Sequence, residues 1–305
     1  MFKKIIPFLL LAFFFVDTIN SNILLQKPKE ISNLEIDKLV REWETQFTWK
    51  WRWLAEFTFS YQQQEAGFVM RFLSIPIYSH NYASIDSSSK ELKFRKNYYF
   101  AQPLKYDHSN PQKIDFAQLV DLLKYKKFIF YIGAGVSAGN VATMDMLEES
   151  LKMNKGVKEF LKEIWKNPQA IVQSFSDFCE SALYSLPTPA HYALQKIAQH
   201  RSICILTENF DLLQQRTGIA PILMCAKELD SLTSTDLQEI EIVVCVGLSH
   251  DDRGFLSYYK ENNLKGMFIA LDLGNPNYLS NMDFIVQEDL QSILPNLALR
   301  LTLNK

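Results

Sequence analysis

The stretch FIFYIGAGVSAGNVATM, Phe128 to Met144, decides the fold. Phe128, Ile129, Phe130, Tyr131 and Ile132 are aromatic or β-branched without polar alternation, the composition of a strand covered on both faces of a parallel sheet. Three glycines follow. Gly133, Gly135 and Gly139 suit a tight turn whose backbone approaches a ligand closely, and the helical pattern after them aims amide N–H groups at an anion. Ala134 lies between the first two glycines, and Ser137 adds a hydroxyl. The spacing G-x-G-x-x-x-G is one residue longer than the dinucleotide fingerprint, so the loop alone fits either a phosphate cradle or a ligand-free turn from strand to helix.

Downstream, helical and extended patterns alternate. Helical spacing covers Met144–Met153, Val157–Trp165, Ile171–Leu183 and Ala190–His200, then a strand Ser202–Thr207, a helix Phe210–Thr217 and a short strand Ile222–Cys225. A strand Ile240–Gly247, a helix Phe255–Asn262, a strand Gly266–Asp272 and a helix Asp289–Leu301 complete the series. Alternation of this kind predicts an α/β fold, a Rossmann-like parallel sheet with helices on both faces. Ligands in such sheets bind beyond the carboxyl ends of the strands.

The loops expected at that edge are Gly133–Gly139 with Asn140 next to it, then Thr207, Glu208, Asn209 and Asp211, then Gly247, Leu248 and Ser249, then Asp272, Leu273, Gly274 and Asn275. Four polar or glycine-rich loops on one edge point to a ligand crevice. Asn209 both donates and accepts, so it suits orienting a water or a ribose hydroxyl with Asp211 fixing the loop; the alternative is a helix cap. Gly247 and Ser249 offer backbone and hydroxyl contacts to a ribose or phosphate, or form an ordinary turn. Asp272 is placed to accept a ribose hydroxyl pair or to close a strand-end turn.

The 305 residues are 48% apolar, enough for a large globular unit, and the net charge of −2 with no long basic tract excludes an electrostatic drive toward nucleic acid. Residues 1–21 differ in kind. Lys3 and Lys4, an uncharged run over 5–16 and a polar stretch from Asp17 read as a signal peptide, a membrane anchor or tether, or a helix packed on the domain. The first two make the chain exported or membrane-tethered, and the third leaves it cytoplasmic. Residues 22–112 form an aromatic-rich extension, with helical spacing over Glu30–Tyr61 whose period shifts toward two after Phe47, so that helix and strand both fit there, strand patterns over Phe68–Ile77 and Leu92–Phe100, and a joint at Lys105–Pro111. It is either a covering layer or a surface for lipid or a partner. Residues 113–305 make the main domain, entered through an amphipathic helix Ile114–Tyr125. The four cysteines, Cys179, Cys204, Cys225 and Cys245, include no C-x-x-C pair, so no metal site is expected; Cys204 and Cys245 read as buried apolar residues.

Five motifs in order resemble the sirtuins, the NAD-dependent protein deacylases. GAGVSAG is similar to the family's GAG-x-S loop, PTPAHYAL (Pro187–Leu194) to its PNPAH helix start, and LTENFDLLQQRTG (Leu206–Gly218) to its TQNID segment. VGLS (Val246–Ser249) resembles its GTSL, and ALDLGNP (Ala270–Pro276) its strand-end Asn motif. The resemblance, over roughly the last 180 residues, implies an NAD-binding domain whose cofactor contacts include Gly133, Ala134, Gly135, Ser137, Asn140, Thr207, Asn209, Gly247, Ser249 and Asp272. It also implies catalytic roles for Asn209 and Asp211, which would face the nicotinamide ribose while its bond to nicotinamide breaks under electrostatic stabilisation.

The departures are equally specific. The family's His-Gly pair, which supplies the general base, is replaced by PILMCA (Pro221–Ala226), with Cys225 near that place, and an apolar-flanked thiol is a poor proton acceptor. Its IPDFR segment is replaced by VATMD, although Asn140 can take the left-handed conformation expected there, and its zinc-binding cysteines are missing. His191 reads as a structural contact, and His250 as a solvated loop residue or a substitute base. Three functions follow as expectations: deacylation of an acylated protein, NAD glycohydrolysis, or binding of NAD or ADP-ribose without turnover.

Overall fold

The computed structural model describes residues 24, 27–42, 59–64, 67–72, 75–81, 111–142, 144–150, 166, 168–209, 211–223, 232–251 and 254–303. In chain order the strands are β1 (Lys29–Glu30), β2 (Phe59–Gln64), β3 (Gly67–Phe72), β4 (Ile75–Asn81), β5 (Gln112–Lys113), β6 (Phe128–Ile132), β7 (Ile205–Thr207), β8 (Ile219–Ala220), β9 (Ile222–Leu223), β10 (Ile242–Val246), β11 (Met267–Leu271) and β12 (Phe284–Val286). The helices are α1 (33–42), α2 (Phe116–Tyr125), α3 (Met144–Ser150), α4 (Pro168–Tyr184), α5 (Pro189–Arg201), α6 (Ser234–Gln238), α7 (Phe255–Asn262) and α8 (Leu290–Thr302).

The central sheet has seven strands in the order β5-β12-β11-β10-β6-β7-β9, and every neighbouring pair is parallel. The expected α/β, Rossmann-like architecture is present. All five residues of β6 are buried, and their parity divides the core, because successive strand side chains point to opposite faces. Phe128, Phe130 and Ile132 pack with α2, α5 and α8, through Leu119, Leu194 and Leu294 among others. Ile129 and Tyr131 pack with α6 and α7, through Leu237, Phe255 and Tyr259. An uninterrupted apolar strand is what two covered faces require.

From residue 112 onward most elements lie where the sequence places them, with two differences of substance. The stretch expected as a helix from Phe210 to Thr217 is a turn over residues 211–214 followed by a single 3-10 turn, Gln215–Thr217. Asp211 Oδ1 accepts the Leu213 N–H at 3.0 Å, and Leu212 adopts a left-handed φ of 57°, so the chain is bent out of the helical path. The edge elements β5, β12 and α6 are two, three and five residues long, too short for a periodicity to register.

Residues before the main domain dock onto it. β1 pairs antiparallel with β8, and Ile31 N–H donates to Gly218 O at 3.1 Å. Leu24 is buried among the α7-side core, while Leu39 and Val40 of α1 pack on Leu183 and Leu212. β2, β3 and β4 form a separate antiparallel three-stranded sheet, so the strand expected over Phe68–Ile77 is instead divided between β3 and its antiparallel neighbour β4. The leader and the expected strand over 92–100 lie outside the described residues, among which no helix is long and apolar enough to cross a membrane.

Candidate active site at the carboxyl edge of the sheet

From β6 the chain runs to β7 and β9 on one side, then returns through β10 to β11 and β12 on the other. The strand order therefore reverses between β6 and β10, the place where open α/β sheets bind ligands. The loops after these two strands interlock. Gly133 N–H donates to Val246 O and Gly135 N–H to Gly247 O, both at 2.9 Å. A Cβ on Gly133 would lie 2.6 Å from Gly247 O, and one on Gly247 would lie 2.6 Å from the Gly135 backbone. Gly247 also has φ of 56°, in the region that glycine favours. These three glycines are thus demanded by backbone packing between the loops. Gly139 differs: its φ is 90° and a Cβ there would meet nothing within 4 Å.

The third loop closes against the first. Thr207 Oγ1 donates to Ile132 O at 3.3 Å and accepts the Asn209 N–H at 2.9 Å, while Asn209 Nδ2 donates to Gly133 O at 3.0 Å. Asn209 is half-buried at the rim, its side-chain amide fixed across the mouth of β6. Asp211 lies deeper, and its Oδ2 accepts the Ser137 hydroxyl at 2.5 Å. Behind Ser137 stands His191, fully buried, with Nε2 at 3.4 Å from the Ser137 Oγ. Thr188 N–H donates to His191 Nδ1 at 3.2 Å, which leaves that nitrogen unprotonated and assigns the ring proton of the neutral imidazole to Nε2. Burial pulls the His191 pKa down to about 4, so the ring is neutral at physiological pH. Burial also raises the Asp211 pKa, against the lowering effect of the Ser137 and Leu213 hydrogen bonds.

The remaining expected residues divide by exposure. Ala134 and Ser137 belong to the 3-10 turn after Gly133, with Ser137 buried, so its hydroxyl serves Asp211. Asn140 is not left-handed; that conformation falls on Gly139, and Asn140 Nδ2 donates to Leu186 O at 2.9 Å. Ser249 is exposed at the rim, its Oγ 2.9 Å from Nδ1 of the equally exposed His250. Asp272 Oδ1 accepts the Gly274 N–H at 2.8 Å, closing a turn after β11. Cys225 lies outside the described residues; Cys179, Cys204 and Cys245 are buried free thiols, which burial pushes up to about 12 for the first two and well above the usual value for the third. Among the described residues no cluster of three His, Cys, Asp or Glu side chains is arranged to hold a metal ion.

Three supporting residues escape sequence reading. Gln291 of α8 donates to Val136 O at 3.0 Å and accepts the Ala190 N–H at 3.1 Å, tying the first loop to α5. Thr188 places its hydroxyl oxygen 2.7 Å from His191 Nδ1 and 3.2 Å from Val136 O, between α5 and the first loop. Tyr131, on β6, donates its phenol to Glu208. Only Thr188 carried a sequence signal, its position one residue before Pro189 at a helix start.

No family model matches the chain. It is 29% identical over 121 residues to NAD-dependent protein deacylase 2 of Archaeoglobus fulgidus, covering 39% of this chain and 47% of that protein. The chain is sirtuin-like. A second relative, the NAD-dependent protein deacylase of Helicobacter pylori, is 29% identical over 111 residues, covering 36% of this chain and 48% of that protein. The sirtuin-like chain spans about half the length of these curated relatives. Among solved structures, a Sir2 homolog in complex with NAD is 14% identical with a TM-score of 0.49, covering 64% of this chain and 96% of that one. A Sir2 bound to acetylated peptide is 14% identical with a TM-score of 0.44, covering 60% of this chain and 97% of that one.

Proposed function

We propose that this sirtuin-like chain binds NAD at the carboxyl edge of its sheet and consumes it, cleaving the bond between nicotinamide and ribose with water as acceptor. The observation that carries this reading is the convergence of three loops at the reversal of strand order, where Gly135 is bonded to Gly247 and Asn209 to Gly133. The donor set suits a dinucleotide. Ser249 presents an exposed hydroxyl, Gly139 leaves open space beside the first loop, and half-buried Asn209 has a fixed amide whose Oδ1 meets no donor among the described residues. NAD supplies the leaving nicotinamide; the chain supplies orientation and a polar setting for the charge that moves.

Water is favoured over an acyl-lysine as acceptor because the sequence lacks the His-Gly pair and the zinc-binding cysteines of the resembled family. Deacylation remains the reading suggested by the names of the relatives. Incubating the purified full-length chain with NAD, with and without an acylated peptide, separates the two. Nicotinamide release without peptide is the expected result; release only with peptide makes the chain a deacylase, and binding without release makes it a module.

A further inference from the structure

Glu208 occupies the place where the resembled TQNID motif has glutamine, directly before Asn209. Its N–H donates to Ile132 O at 3.3 Å, which fixes the residue at the carboxyl end of β7. Its carboxylate accepts from the phenol of Tyr131, a fully buried residue packed edge-on against Phe255 at a centroid distance of 5.0 Å. The phenol belongs to the rigid α7-side core, so the carboxylate is anchored from below. Glu208 itself is half-buried at the rim beside the amide that spans to Gly133. A carboxylate thus follows β7 at the carboxyl edge of the sheet, held to the end of β6 and one residue before the Asn209 amide that is bonded to Gly133 O.

We propose that Glu208 is the catalytic base of the reaction, an inference that rests on the NAD-consuming reading above. Water is a weak nucleophile at neutral pH, and a positioned carboxylate that takes its proton accelerates attack. The water oxygen forms a bond to ribose C1′ while the bond from C1′ to the nicotinamide nitrogen breaks. The electron pair of that bond goes to nicotinamide, which leaves neutral, and the water proton goes to Glu208 and then to solvent. The same negative charge favours the cationic ring of NAD+ over the neutral ring of NADH, giving a readout independent of turnover.

Glu208→Gln keeps an oxygen that accepts from Tyr131 and removes the charge. In this variant nicotinamide release falls at least about a hundredfold, the preference for NAD+ over NADH in calorimetric titration drops toward one, and the unfolding midpoint is retained. Formate restores part of the release lost in Glu208→Ala. Should Glu208→Gln fail to fold, Tyr131→Phe serves: it keeps the carboxylate and removes its anchor, lowering release about tenfold while the NAD+ preference persists. Wild-type turnover in the folded variants with an unchanged NAD+ to NADH ratio overturns the role of Glu208 alone. A wild-type chain that binds NAD and releases no nicotinamide overturns the NAD-consuming reading along with it.

Discussion

His191 shows how one buried side chain orders the rim. Its protonated Nε2 faces Ser137, Ser137 donates to Asp211, and Asp211 accepts the Leu213 N–H, so three segments share one polar path. Because the folded His191 pKa, about 4, lies below the unfolded value near 6.5, the unfolded chain binds the extra proton first. This group's contribution to stability is therefore intact above pH of about 6.5 and is lost progressively toward pH of about 4, by at most about 3 kcal/mol. Asp211, whose folded pKa is raised, works in the opposite sense by gaining its proton more readily when folded. Denaturant titrations of wild type and His191→Asn from pH 4 to 7 check the balance; the variant has the flatter acid limb. Gly247→Ala places a Cβ 2.6 Å from the Gly135 backbone at positive φ, and costs roughly 3 kcal/mol by strain and displacement of the loop, measurable as a lowered unfolding midpoint. Lys260→Met leaves the Asp283 carboxylate buried without its 2.8 Å partner and destabilises by about 3–5 kcal/mol in the same assay.

At the scale of elements, α1 acts on the site from the far side of the 211–220 segment. β1 holds that segment at Ile219 and Ala220, and Leu39 and Val40 hold it at Leu212, whose left-handed backbone costs about 1 kcal/mol without such packing. Leu39→Ala together with Val40→Ala lowers stability by about 2 kcal/mol, read by equilibrium denaturation, and loosens the Asp211 turn, read by faster exchange of the Leu213 amide. None of this was legible in the sequence, because the helical pattern from Glu30 names no partner for its apolar face. β6, β10, α5 and α7 were legible, since five-residue apolar strands and a proline-led helix carry their own signals. The expected helix over 210–217 failed for a local reason: the Asp211 carboxylate captured the Leu213 amide, a competition that composition does not reveal.

Across the molecule, the polar loops expected on one edge do follow the carboxyl ends of β6, β7, β10 and β11, and their glycines meet a packing demand that the sequence does not show. Gly133, Gly135 and Gly247 read as ligand glycines, yet each answers first to another stretch of backbone more than a hundred residues away, a contact that no local spacing can announce. The Rossmann-like order followed from strand and helix alternation, while the exact neighbours of β6 required the three-dimensional register with β10 and β7. The dovetail of these loops has a mechanical consequence. With Gly135 N–H bonded to Gly247 O and Gly247 N–H bonded to Leu271 O, the rim is a continuous girder from β6 to β11. A ligand seated against either loop is therefore expected to slow the deuterium exchange of the Gly135 and Gly247 amides together, and independent rates for the two would show that the girder does not act as one.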